Sequence, residues 1–389
     1  MQVFVSAGEP SGDLHGANLV AAIKRRLPDA EVVGFGGPKM LEAGQKQHFP
    51  LTSLAVMWFG RVLLNLGTFF RIARQSEVFF RSKKPAALVV IDYPGFHFAL
   101  AKRAHRAGVP VYWFVPPQLW AWAGWRSNKM RKWVNTVLSA LPFEDDWYRK
   151  RGVNSHFIGH PYFDELAHQK LDAAFVAAEK AKPGLVVSLL PGSRNQEVRE
   201  NFAVMVSAAN RIRDAVPGVR FLVASFNEKQ AGVAREILAA AGFEADIHVG
   251  RTPEIIELAD VCLAVSGSVG LEMMYRLKPA VITYKVIPLG WFLARKIFMT
   301  CKWVSLVNLL AGEELYTEFF SYRDESAGIA DRVIALLKNP AEREELAARL
   351  RDVRSRVAIP GATDRAAEYI VAAIAKTPPR VEQAPGKAA

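Results

Sequence analysis

The sequence predicts an α/β protein made of two doubly wound parallel-sheet domains in series that face a central cleft. Three observations predict it. Short continuous apolar runs alternate with helical segments, and such runs belong to parallel strands covered on both faces. The alternation stops near Lys180-Ala181-Lys182-Pro183 and then begins again. The 389 residues suffice for two domains of ordinary size, with 51% hydrophobic residues to fill their cores and 23% charged residues to cover them.

In chain order, Val3-Phe4-Val5-Ser6 reads as the first strand and runs into the loop Gly8-Glu9-Pro10-Ser11-Gly12. A helix from Asp13 to Arg26 follows, then a strand at 31–35 closed by Gly36-Gly37. Further strands are predicted at 87–91, 109–114 and 136–138. Beyond the break, strands are predicted at 185–190, 219–224, 246–249, 261–265 and 280–284, with helices between them. This gives two Rossmann-like domains, at 1–165 and 182–360. A last helix at about 363–376 packs back on the first domain, and 377–389, rich in Pro, Ala and charge, reads as a loose tail.

The net charge of +12 is uneven. Residues 1–165 hold 21 Lys and Arg against 12 acids, and the remainder holds 29 against 26. A basic first half suits an anionic partner, whether phospholipid, phosphorylated substrate or nucleic acid, or else a solvated basic surface. No nucleic-acid motif accompanies it, and its aromatics cluster with aliphatics, so no nucleic-acid partner is expected. The two cysteines, Cys262 and Cys301, build neither a disulfide framework nor a metal site, which fits a reducing cytoplasm. The first residues read as a strand and its loop and not as a signal peptide. No window has the roughly 18 apolar residues of a membrane span.

Two strand–loop–helix turns of the second half suit an anion. In Leu189-Leu190-Pro191-Gly192-Ser193-Arg194-Asn195-Gln196-Glu197, backbone N–H groups at a helix start favour negative charge and Arg194 adds a two-pronged contact. Ser193, Arg194 and Glu197 are therefore candidate nucleotide contacts, and the alternative is an ordinary turn with a surface arginine. In Val265-Ser266-Gly267-Ser268-Val269-Gly270-Leu271-Glu272, the small residues Ser266, Gly267 and Ser268 let a diphosphate approach the backbone. Glu272, one turn into the helix, is placed to accept from ribose hydroxyls or else faces solvent.

The first half supplies acids for proton transfer. Glu9 and Asp13 flank Pro10-Ser11-Gly12, and Asp92 ends the strand Val89-Val90-Ile91. An acid at a strand C-terminus faces the ligand crevice of an open sheet, though Asp92 also fits as a helix-capping turn residue. His160, before Pro161, and the acidic run Glu144-Asp145-Asp146 read as structural, and no metal or other cofactor is expected.

From Val56 to Arg71, apolar and polar residues fall on different helical faces, and six basic residues but one acid, Glu77, lie between 50 and 90. Val62, Leu63, Leu66, Phe69 and Phe70 are then candidates for an apolar face on an anionic membrane. A helix packed on the core is the alternative.

These motifs, together with Pro117-Gln118-Leu119-Trp120-Ala121-Trp122, Leu141-Pro142-Phe143-Glu144 and Phe157-Ile158-Gly159-His160-Pro161, occur in one order. In that order the chain resembles the lipid-A-disaccharide synthase family along roughly residues 1–376. The resemblance implies the GT-B fold and an inverting glycosyltransferase. Its donor is UDP-2,3-diacylglucosamine, its acceptor is 2,3-diacylglucosamine 1-phosphate, and its products are a β-1,6 disaccharide and UDP. It also implies a peripheral protein on the inner face of the inner membrane, with a homodimer left open. By motif, Arg194, Glu272 and Asn308 would contact UDP and Asp92 would be the base. Gly95-Phe96-His97 stands where the family usually has Asp-Phe-Asn. The rival readings are a transferase or epimerase acting on another UDP-sugar, and a non-catalytic binder of UDP-sugar or lipid.

Overall fold

The structure, a computed structural model, describes residues 1–55, 66–293 and 300–376. The chain divides into two compact units. One comprises residues 1–119, 123–164 and the chain from Ile359 onward; the other comprises 120–122 and 165–358.

The first unit is built on seven parallel strands: β1 (Gln2–Ala7), β2 (Glu31–Phe35), β3 (Lys46–Phe49), β4 (Ala87–Ile91), β5 (Val111–Phe114), β6 (Thr136–Ser139) and β7 (Ser155–Phe157). Their order across the sheet is β3-β2-β1-β4-β5-β6-β7. Every residue of β4, β5 and β6 is buried, as central strands are when helices cover both faces of the sheet. One core lies against Phe4, Leu88, Val90 and Trp113, and the other against Val3, Val5, Val89 and Phe114. The helix Ala362–Lys376 belongs to this second core through Ala366, Ala367, Ile370 and Ile374.

The second unit repeats the plan with β8 (Val186–Leu190), β9 (Arg220–Ser225), β10 (Asp246–Val249), β11 (Val261–Val265), β12 (Ala280–Lys285) and β13 (Thr317–Ser321). The order β10-β9-β8-β11-β12-β13 is again parallel throughout.

In each sheet the strand order reverses once, between β1 and β4 and between β8 and β11. Connections leave these neighbouring strands in opposite directions, so a crevice opens beyond their carboxyl ends, where doubly wound sheets hold ligands. Strands β3, β7 and β13, absent from the expected set, are all sheet edges. The expected tail at 377–389 lies outside the described residues.

Candidate active site

In the first unit the reversal point lies between the ends of β1 and β4. Beyond β1 come Gly8 and Glu9, and beyond β4 comes Asp92, so the topology brings two expected acids to one crevice. Asp92 and Tyr93 both adopt left-handed backbone conformations, each at φ 47°, and the helix Pro94–Arg106 starts immediately after. The Tyr93 ring lies so close to Gly8 that a Cβ there would sit 2.2 Å from it. Only glycine allows that approach. Burial pushes the Asp92 carboxyl up to about 6, and the charge of Glu9 pushes the same way. The Tyr93 backbone N–H and His15 oppose the shift. Burial and then Glu9 also raise Tyr93.

Asp13 has a different task. Its buried carboxylate accepts from the backbone N–H groups of Gly37 (2.7 Å), Lys39 (3.0 Å) and Met40 (3.2 Å). Those bonds hold the start of the helix Pro38–Glu42, so the expectation of proton transfer at Asp13 gives way to a structural role. His160 is half-buried beside His15, and its Nδ1 accepts from Tyr162 N at 3.2 Å. Burial, with His15 adding to it, lowers its pKa to about 3, so the ring stays neutral. Two members of the acidic run have structural bonds: Glu144 accepts from Ala140 N, and Asp145 from the Ser139 and Ser155 hydroxyls.

His97 was not expected at the site. It is fully buried; one ring nitrogen lies 2.8 Å from the Asp92 carbonyl and the other 2.9 Å from the Ser6 hydroxyl. The motif offers a signal only in retrospect: an i+5 histidine in the first helical turn can fold back on the residue that ends the strand.

In the second unit the two small-residue loops follow β8 and β11, the strands that flank its reversal point. Gly192 sits at φ 114°, and a Cβ there would lie 2.7 Å from a Glu197 carboxylate oxygen. Glu197 accepts from the backbone N–H groups of Ser193 and Arg194, both at 3.2 Å, and from the Arg194 guanidinium at 2.8 Å. A carboxylate of the loop itself, that of Glu197, therefore already occupies this helix start and shapes the loop. Gln230, also unexpected, donates to the Ser193 carbonyl and ties the loop to the helix Glu228–Ala241. The Arg194 side chain is 74% exposed and Ser193 is exposed, so both can reach a ligand.

After β11, Gly267 and Ser268 are exposed and the space beside Gly267 is open. The Ser266 hydroxyl instead donates to the Val304 carbonyl at 2.9 Å. Glu272 is buried, with Arg276 Nε donating to it at 3.2 Å. Arg276 also reaches Glu257 at 3.3 Å and Gln169 at 2.6 Å. Glu272 therefore does not face solvent.

Asn308 corrects an expectation. It is 0% exposed. Its carbonyl oxygen accepts from Leu315 N and Tyr316 N, both at 2.9 Å, and its amide donates to Tyr316 O (2.7 Å) and Glu318 (2.8 Å). All four bonds an asparagine amide can make are used, which leaves none for UDP. The same Glu318 accepts from Val304 N (2.7 Å) and Ser305 N (2.8 Å), and burial raises its pKa. Asn308 and Glu318 thus brace the turn beside Ser266 from within.

The membrane candidates separate. Val62 and Leu63 lie outside the described residues, as does the side chain of Leu66. In the helix Leu66–Lys83, Phe69 is half-buried and packs on the core, its ring 5.6 Å from Phe96. Ile72, Ala73, Ser76 and Phe80 are buried along with it. Phe70 points out at 68% exposure and Val78 at 63%. With Arg71, Arg74 and Gln75 they line a shallow surface pocket. Among the described residues no helix is long and apolar enough to cross a membrane.

Comparison with known proteins adds family evidence. A family model for lipid-A-disaccharide synthetase matches residues 3–372. The lipid-A-disaccharide synthase of Alkalilimnicola ehrlichii is 35% identical over 382 residues, covering 96% of this chain and 98% of the relative. That of Geobacter metallireducens is 31% identical, again over 96% and 98%. Among solved structures, a UDP-GlcNAc 2-epimerase from Neisseria meningitidis bound to UDP-GlcNAc superposes with a TM-score of 0.65 at 12% identity, over 96% of this chain and 100% of that one. Acinetobacter baumannii MurG does so with a TM-score of 0.58 at 13% identity, over 95% and 99%. These likenesses are to the GT-B fold.

Proposed function

The chain belongs to the lipid-A-disaccharide synthetase family, and from that premise we propose how its own residues carry out the transfer. It is a glycosyltransferase of lipid A disaccharide formation. The donor in this reading is UDP-2,3-diacylglucosamine and the acceptor is 2,3-diacylglucosamine 1-phosphate. Asp92 is the general base. It takes the proton of the acceptor 6-hydroxyl as that oxygen attacks the anomeric carbon on the side opposite UDP, so the configuration inverts. The observation that carries this reading is Asp92 itself: it stands at the reversal point of the first sheet with its pKa raised to about 6. A carboxylate so tuned is a stronger proton acceptor than a solvated one and is still ionised at neutral pH. Glu9 supports it by charge, since its proximity helps to raise that pKa.

The departing diphosphate is received in the second unit, where Arg194 offers an exposed guanidinium and the open Gly267-Ser268 turn lets phosphate oxygens approach the backbone. Glu272, held by Arg276, lies one turn further in and serves the ribose. The acceptor and donor carry acyl chains and stay in a bilayer, so the protein works at an anionic membrane surface, on the inner face of the inner membrane. Phe70 and Val78, flanked by Arg71 and Arg74, are the described residues suited to that contact.

The test is UDP release with acylated donor and acceptor. D92N should lower turnover about 10²- to 10⁴-fold with UDP binding retained. R194A should weaken UDP binding by about 1.5–3 kcal/mol, the worth of a charge-assisted contact. Near-normal turnover in D92N would move the base elsewhere, and unchanged UDP affinity in R194A by calorimetry would remove Arg194 from the donor site.

A further inference from the structure

We propose that His97 is a positioning residue for the transfer, the middle of a hydrogen-bonded line that holds the main chain of Asp92 in its strained conformation. The inference rests on the reading of Asp92 as base. The line runs across three strand ends. Asp92 N donates to the Val115 carbonyl at 3.2 Å, just past β5. The Asp92 carbonyl can only accept, so the His97 nitrogen 2.8 Å away, Nδ1, carries the proton. In a neutral ring Nε2 then accepts, and the Ser6 hydroxyl at the end of β1 donates to it at 2.9 Å. The ring is enclosed by Tyr93, Phe96 and Trp113 at centroid distances of 5.7, 6.1 and 6.2 Å. With no exposure of its own, His97 can touch neither substrate and acts only through Asp92.

The line is needed because the backbone it holds is unfavourable. Asp92, Tyr93 and Val115 sit at φ 47°, 47° and 49°. A β-branched residue at positive φ is a genuine outlier, and such residues persist only where their surroundings over-determine them. With the carbonyl of Asp92 pinned by His97 and its N–H by Val115, the peptide groups on both sides of the base are fixed. Burial favours the neutral ring this arrangement uses, since it lowers the His97 pKa to about 4.

The experiment compares H97L, H97N and S6A in the UDP-release assay, with D92N alongside. H97L should lower kcat about 10²-fold, the effect of a small misplacement of a reacting group, while KM for the donor stays unchanged. H97N, whose amide can still donate to the Asp92 carbonyl, should recover most of kcat. A folded H97L with wild-type kcat, or an H97N no better than H97L, would overturn the proposal. Should H97L fail to fold, the nitrogen spectrum of histidine-labelled wild-type protein decides. An Nδ1–H tautomer at His97, with a kcat loss in S6A, supports the line, and an Nε2–H tautomer overturns it. Normal turnover in D92N would instead sink the assignment of the base, and the tautomer is read independently of that result.

Discussion

Aspartate and asparagine enter the left-handed region more readily than most residues, which makes Asp92 a tolerable choice for a turn that must also carry a carboxylate. Its raised pKa has a cost in stability. The folded pKa of about 6 exceeds the ordinary value of 3.8, so the folded state prefers the proton. The contribution is fully present below the unfolded pKa and is lost as pH rises through about 6. D92N cannot ionise and keeps the same backbone preference. It should therefore unfold at higher denaturant than wild type at pH 8, by at most about 3 kcal/mol, and match wild type at pH 3.5. A gap of equal size at both pH values would show that ionisation is not its origin. Asn308 makes the opposite case, a polar residue whose bonds all point inward. N308A should lower stability by about 1–3 kcal/mol, because Glu318 and two backbone N–H groups lose a partner. Calorimetry should find UDP affinity near wild type in the folded variant.

At the scale of elements, the helix Leu66–Lys83 is docked by one face and open on the other. Its buried residues, Ile72, Ala73, Ser76 and Phe80, repeat at helical spacing, while Phe70 and Val78 share the opposite side with Arg71 and Arg74. The described part thus bears out the packed-helix reading on one face and leaves Phe70 and Val78 exposed on the other. Replacing Phe70 and Val78 with Ser should loosen attachment to anionic vesicles and leave the thermal melt in place, since neither side chain is in the core. Salt should weaken attachment further by screening the arginines. F80S, at a fully buried position, should depress the melt. Vesicle co-sedimentation alongside the melts checks this, and unchanged binding in the Phe70/Val78 variant would remove the helix from any membrane contact. The edge strands β3 and β7 show why some elements escape the sequence. Lys46-Gln47-His48-Phe49 and Ser155-His156-Phe157 have partly exposed residues and no continuous apolar run, so nothing but pairing with a neighbour makes them strands.

Across the whole chain, the first unit is closed by residues far away in sequence. The helix Ala362–Lys376 packs on the helix Pro10–Arg26, where Arg25 and Arg26 reach Asp364 at 3.0 and 2.8 Å. The Asp164 carboxylate receives the N–H groups of Gly361, Ala362 and Thr363 at 2.6, 3.1 and 3.0 Å, which caps the start of that helix. Tyr369 meets the Thr136 hydroxyl at 3.2 Å and stacks on His156 at 4.8 Å. A chain ending at Ala358 should therefore lose protection in β1, β4 and the helix Pro10–Arg26, while β8 and β11 keep theirs. Hydrogen exchange read by strand checks it, and uniform protection in the truncated chain would show that the closing helix is dispensable.

The sequence by itself determined the elements whose signal is local. Apolar runs of five or six residues between helices specify buried parallel strands, and small-residue turns after them mark where those strands end. Those two facts were enough to place Asp92 at a strand end, Glu9 in the loop after the first strand, and the loops of Ser193–Arg194 and Gly267–Ser268 at strand ends. That β1 neighbours β4 and β8 neighbours β11, which brings each pair to one crevice, came from the sheet order. Only the tertiary structure decided which polar side chains at those places are free to act. Hydrogen-bond partners come from other elements, some far off in sequence: Gly37 to Met40 for Asp13, Leu315 to Glu318 for Asn308, Ser6 for His97. A motif records the identity of a residue, but whether its lone pairs and protons are already taken depends on what packs against it in three dimensions.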